Sequence, residues 1–169
     1  MTTCQGCGFV LEDLPTAGIG DGLRGVIPRF RQILASGPDR RLRERPDLAT
    51  WSPLEYACHV RDVLFIQRDR VLRALVENRP DFAPMHREER VALARYASEA
   101  PPLVGEEIAI GAGLLARLVD GLSTEQMGRR CVYGYPDKTE VDVAWVGRHT
   151  VHEAEHHLLD MRRILGRGA

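Results

Sequence analysis

The sequence has no apolar run approaching the roughly 20 residues that a membrane-spanning helix requires, so a soluble protein is expected. Its first residues, MTTCQGCGF, lack the basic stretch and apolar core of a secretory signal, which places the chain in the cytoplasm. Cysteine is sparse, at four residues. In a reducing compartment these are expected as thiols or metal ligands. Neither sign of charge is in excess: 23 basic against 24 acidic residues leave a net charge of −1, which argues against a general attraction to nucleic acid. The densest basic stretch, Arg40, Arg41, Arg43 and Arg45, is interleaved with Asp39, Glu44 and Asp47 and reads as a solvated charged loop. Lysine is nearly missing, Lys138 being the one lysine, a bias suggestive of a GC-rich genome. No internal repeat and no low-complexity segment is found.

What is present is enough for one domain: 169 residues, 44% of them hydrophobic, suffice for an apolar core. Residues 1–16, with Cys4, Cys7 and Pro15, read as an arm ahead of a bundle spanning 17–169. The spacing of Leu23, Ile27, Phe30 and Leu34 predicts a first helix from Ile19 to Ser36, ended by Gly37 and Pro38 and interrupted or kinked at Pro28. The second helix has the clearest start: Ser52 caps, Pro53 suits the first helical position, and Glu55 completes a capping box. Its stripe of Tyr56, Val60, Val63, Val71 and Leu75 runs to about Asn78. A short helix is expected from Arg87 to Tyr96, then a break at Pro101 and Pro102. A third long helix follows from Leu103 to Leu122, and a fourth from Asp142 to Leu165. Between them Arg129 to Thr139 reads as a short extended excursion turning at Gly134 to Asp137. The fold expected is therefore all-α, a four-helix bundle with a crossover.

Four of the six histidines fall in the run HTVHEAEHH, residues 149–157. His152 and His156 lie about 40° apart around the fourth helix and one turn apart along it, with Cβ atoms roughly 5–6 Å distant, so two imidazoles can share one ion. Trp145 and Leu159 share that face, which directs it inward. A zinc-like ion wants at least three protein ligands. His59, two turns into the securely capped second helix, is the better candidate for the third, since His86 lies in a connection. His59, His152 and His156 are thus the expected metal ligands, leaving open coordination positions of the kind a reactive ion needs.

The segments WSPLEYACHVRDVL and HTVHEAEHHLLDMRRIL resemble the DinB/YfiT-like family of four-helix-bundle metalloproteins, over roughly residues 18–166. In that family one histidine of the second helix and a His-x-x-x-His pair of the last hold the metal, which the resemblance carries onto His59, His152 and His156. Many relatives follow the last histidine with Arg-Gly-Gln, where this chain has His157, Leu158 and Leu159. The resemblance further implies a thiol-dependent transferase or isomerase, with a divalent ion, zinc or nickel, activating a small thiol. The resemblance implies mycothiol, bacillithiol or glutathione as that thiol, mycothiol being the one that fits the actinobacterial source suggested by the single lysine, and a homodimer is the expected assembly.

Other residues keep two readings. His149 is a fourth ligand or a hydrogen-bonding partner of one. His157, turned about 100° from His156, reads as a surface or interface residue. Glu55 and Asp62 flank His59 by one turn and either orient its free nitrogen or act as a base, or else serve capping (Glu55) and solvation (Asp62) alone. Cys4 and Cys7 form a Cys-x-x-Cys knuckle that is disordered, a redox pair, or half of a second zinc site completed by a histidine such as His157. Cys58 and Cys131 read as packed thiols. Against the thiol-dependent enzyme stand a metal-binding sensor or interaction module without turnover, and a metal-assisted hydrolase.

Overall fold

The computed structural model describes residues 3–134 and 137–166. Four long helices dominate: α1 (Ile19–Ser36), α3 (Pro53–Val76), α5 (Pro101–Asp120) and α7 (Val143–Gly166). Three short ones connect them, α2 (Asp39–Arg43), α4 (Arg87–Leu93) and α6 (Thr124–Met127). Three strands, β1 (Asp81–Phe82), β2 (Arg130–Tyr133) and β3 (Thr139–Asp142), form a small sheet in the order β1-β2-β3. The expected extended excursion is thus a hairpin, with Cys131 opposite Val141 and Tyr133 opposite Thr139, joined in parallel by β1. Part of its turn, residues 135 and 136, lies outside the described residues. No helix among them is long and apolar enough to cross a membrane.

Helix α1 packs on α5 and α7, and α3 packs on the same two. The consecutive long helices α1 and α3 therefore stand diagonally across the bundle, which is the crossover that their long connection allows. The core between them is fully buried apolar side chains, among them Leu23 and Phe30 of α1, Leu54 and Leu64 of α3, Ile108 and Leu115 of α5, and Leu158 of α7. Two close helix contacts depend on missing side chains: a Cβ at Gly111 would lie 3.1 Å from the Leu64 Cβ, and one at Gly147 would lie 2.9 Å from an Ile19 methyl.

The start of α3 follows from its sequence. Ser52 Oγ accepts from the Glu55 backbone N–H while a Glu55 carboxylate oxygen accepts from the Ser52 N–H, at 3.2 and 2.8 Å. Arg45 donates to both Glu55 oxygens at 2.8 Å. Pro28 sits inside a continuous α1. Pro101 and Pro102 do not break the chain but open α5, where the missing N–H groups have no helical partner to lose. Helix α7 follows β3 directly, and Asp142 caps it by accepting from the Trp145 N–H at 2.7 Å.

The arm is ordered against α7. Cys4 N–H donates to the Phe9 carbonyl and Gly8 N–H to the Cys4 carbonyl, closing a tight knuckle. Leu11 is buried, and Arg148 of α7 donates to the Leu14 carbonyl at 2.8 Å.

Candidate metal centre

Because α3 and α7 are neighbours, the residue of α3 two turns past its cap meets the middle of α7. His59 is 2% exposed. Its Nε2 stands 3.8 Å from Oε2 of Glu153, and Nε2 of His157 stands 3.7 Å from the same oxygen. The other oxygen, Oε1, is 3.8 Å from His149 Nε2 and 3.8 Å from His152 Nδ1. All four separations exceed the 2.7–3.2 Å of a hydrogen bond. One donor atom each from His59, Glu153 and His157 fits within 4.8 Å of the others. His59 Nδ1 is buried and has no hydrogen-bond partner among the described residues.

The three histidines expected to share an ion are divided. His59 stands with Glu153 and His157, whereas His152 and His156 stand together with Cys4 and Cys7; His152 also groups with His149 and Glu153, and His156 with His157 and Asp160. The cause is a shift of one residue around α7. Positions 153 and 157 form an i, i+4 pair just as 152 and 156 do, turned by about 100°. That turn aims the first pair at α3 and the second at the arm. His157 is therefore no surface residue: its side chain is 12% exposed, and its ring meets that of His59 edge-on at 5.1 Å.

Electrostatics fit this placement. Burial works against the Glu153 carboxylate, but the imidazoles of His157 and His59 outweigh it and hold it ionised well below the ordinary range. Burial pushes His59 down, keeping its ring neutral and its lone pair free. Burial also opposes charge on His157, yet Asp160 and Glu153 raise it above its ordinary value. His149 stacks on Trp145 with ring centroids 4.7 Å apart, which fixes it beside the outer oxygen of Glu153. Glu55 and Asp62 take no part: Glu55 is engaged at the cap, and Asp62 accepts from the Tyr96 hydroxyl at 2.6 Å and from Arg61 at 3.0 Å.

A cavity of about 240 Å³ opens beside this cluster, lined by His59, Val63, Arg70, Tyr133, His149, Glu153 and residues 84–89. Arg70 is its buried cation. Its guanidinium lies over the Tyr133 ring at 4.8 Å and donates to the Ala83 carbonyl. The Tyr133 hydroxyl accepts from Gln67 at 2.7 Å. Sequence reasoning missed Glu153, Arg70 and Tyr133. Glu153 carried a signal, its i, i+4 spacing to His157, but Arg70 and Tyr133 reach the cavity through the crossover and the sheet, which no local pattern displays. His86 lines the cavity without joining a donor group.

Fold and donors together define a four-helix bundle with a histidine and carboxylate cluster shared by two facing helices. The chain belongs to the DinB superfamily, whose sequence profile matches residues 23–161. Among solved structures it is similar to YfiT from Bacillus subtilis, described as a probable metal-dependent hydrolase with an unusual four-helix bundle topology. The TM-score is 0.78 at 18% identity, over 89% of this chain and 87% of that one. It is also similar to a mycothiol-dependent maleylpyruvate isomerase, with a TM-score of 0.71 at 14% identity over 90% of this chain and 63% of that one. No curated protein sequence matches the chain.

Proposed function

We propose that the protein is a metal-dependent enzyme of the thiol-transferase or isomerase type, with its reactive centre at His59, Glu153 and His157. The observation that carries this reading is the approach of two imidazole Nε2 atoms, from α3 and α7, to one carboxylate oxygen at 3.8 and 3.7 Å. These distances are too long for hydrogen bonds and suit ligands around a common ion. Two histidines and one carboxylate leave coordination positions open toward the cavity. A divalent ion held there, zinc or nickel, supplies Lewis acidity that lowers the pKa of a bound thiol.

The chain's own residues do the rest. His149, stacked on Trp145, stands 3.8 Å from the outer oxygen of Glu153, where a small side-chain rotation would let it orient that carboxylate. Arg70, buried and fixed by Tyr133 and Ala83, binds an anionic group of thiol or electrophile, most simply a carboxylate. Val63, Pro84 and Met85 line the wall and limit water beside the reacting atoms. Family membership and the likeness to a mycothiol-dependent enzyme support a low-molecular-weight thiol, mycothiol, as co-substrate. The likeness to YfiT, which is the fuller of the two, supports a second reading in which water replaces the thiol.

The test is conjugation of mycothiol to a panel of carboxylate-bearing electrophiles by the metal-loaded protein. Turnover that needs thiol, and that is lost on chelation and in His59→Ala, is expected. Ester hydrolysis without thiol would select the second reading. Metal binding without turnover of either kind would contradict both.

A further inference from the structure

We propose that Cys4, Cys7, His152 and His156 form a second, structural zinc site that fastens the N-terminal arm to α7. The four side chains offer one donor atom each, all within 4.8 Å of one another, and Cys4 Sγ is 3.4 Å from His156 Nδ1. With Zn–S and Zn–N bonds of about 2.3 and 2.0–2.1 Å, the ligand atoms of a tetrahedral zinc stand roughly 3.3–3.8 Å apart. The present spacing needs only small side-chain rotations to reach that geometry. Two thiols and two imidazoles fill a tetrahedron completely, which is the donor set of a closed, structural ion rather than a reactive one.

Three features where the arm meets α7 suit an ion held between them. Both ring nitrogens of His152 are inaccessible to solvent and lack a hydrogen-bond partner among the described residues, an arrangement that costs free energy unless a proton donor or a metal ion takes up the lone pair. Between the two cysteines, Gly6 lies so close to His156 that a Cβ there would stand 2.7 Å from the ring carbon Cε1. Gly8, just after Cys7, turns the chain at a φ of 76° that side-chain-bearing residues rarely adopt. The knuckle is thus shaped around an imidazole of α7, and Arg163 secures it by donating to the Gly6 carbonyl at 2.9 Å. The apolar fastening of the arm is modest, with Leu11 buried and Phe9 and Leu14 partly buried against the core, so an ion held by Cys4 and Cys7 would add to it.

Binding releases both thiol protons, and two thiolates then balance the charge of the ion. The consequence reaches the reactive centre. With His152 and His156 held toward the arm, the next residue of each, Glu153 and His157, is fixed at about 100° around the helix, facing α3. The zinc site thereby sets the rotation of α7. It does not depend on the functional reading above, because its ion would be counted and detected separately.

The full chain, purified reduced and reconstituted with cobalt(II), is expected to show sulfur-to-cobalt charge-transfer absorption in the near ultraviolet, with the intense visible bands of tetrahedral cobalt. Cys4→Ser/Cys7→Ser should lose that absorption and one ion per chain. His59→Ala should keep the absorption while losing the other ion. Should the double serine variant fail to fold, the wild-type spectrum still decides. Cobalt-loaded wild type without sulfur charge transfer would overturn the proposal. So would a Cys4–Cys7 pair that a thiol reagent modifies equally fast with and without zinc.

Discussion

At the scale of single residues, the chemistry turns on which i, i+4 pair of HTVHEAEHH faces α3. The sequence offers two, His152 with His156 and Glu153 with His157, and a search confined to histidines selects the first. A carboxylate serves as well as an imidazole in a zinc-type ligand set, and the structure places Glu153 and His157 opposite His59. His149 is then a positioning residue, aligned by Trp145 against the outer oxygen of Glu153. Loss of a group that orients a ligand weakens metal affinity by about 10–100-fold. His149→Ala is expected to fall in that range, with the metal-to-protein ratio still reaching its wild-type value at saturation. Competition against a chelator of known affinity checks this, and unchanged affinity would remove His149 from the role. Cys58 and Cys131 stay outside the chemistry, because burial pushes their thiols up to about 12 and about 11.

At the scale of elements, the capped start of α3 decides where His59 lies, and it was legible from the sequence because its determinants are local. Ser52, Pro53 and Glu55 act within one turn, and the box forms as read. The four long helices were legible for the same reason, through apolar spacing. The partnership of Arg45 with Glu55 was not, since it joins a loop to a helix across 10 positions. Burial raises the Glu55 carboxyl, but Arg45 and the Ser52 N–H outweigh it and set the folded value below the ordinary 4.5. A depressed carboxyl contributes stability that is fully present above its unfolded value and is lost as pH falls through the folded one. Glu55→Gln should therefore cost about 1–2 kcal/mol at neutral pH, Arg45 being partly solvated. The difference from wild type should shrink below the ordinary carboxyl range. Urea unfolding at neutral and acid pH checks it, and a difference constant with pH would refute the assigned charge pairing.

At the scale of the whole molecule, the diagonal placement of α1 and α3 brings α3 against α7 and leaves the far side of α7 to α1 and the arm. One helix thus presents one donor face to α3 and the cavity and a second to the knuckle. Neither arrangement is readable from helical spacing alone, because spacing gives the faces of a helix and not its neighbours. The family and the four-helix bundle were legible in the sequence, whereas the rotation of α7, which decides which side chains stand beside His59, was not. The arm lay outside the segments that carried the resemblance, so Cys4 and Cys7 acquired partners only in three dimensions. The central claim is that His59, Glu153 and His157 enclose one ion. Anomalous diffraction from crystals of the metal-loaded protein tests it most directly. The account predicts a peak bounded by His59 Nε2, Glu153 Oε2 and His157 Nε2, open toward Arg70. A peak shared by His59 with His152 and His156, or no anomalous density at His59, would contradict it.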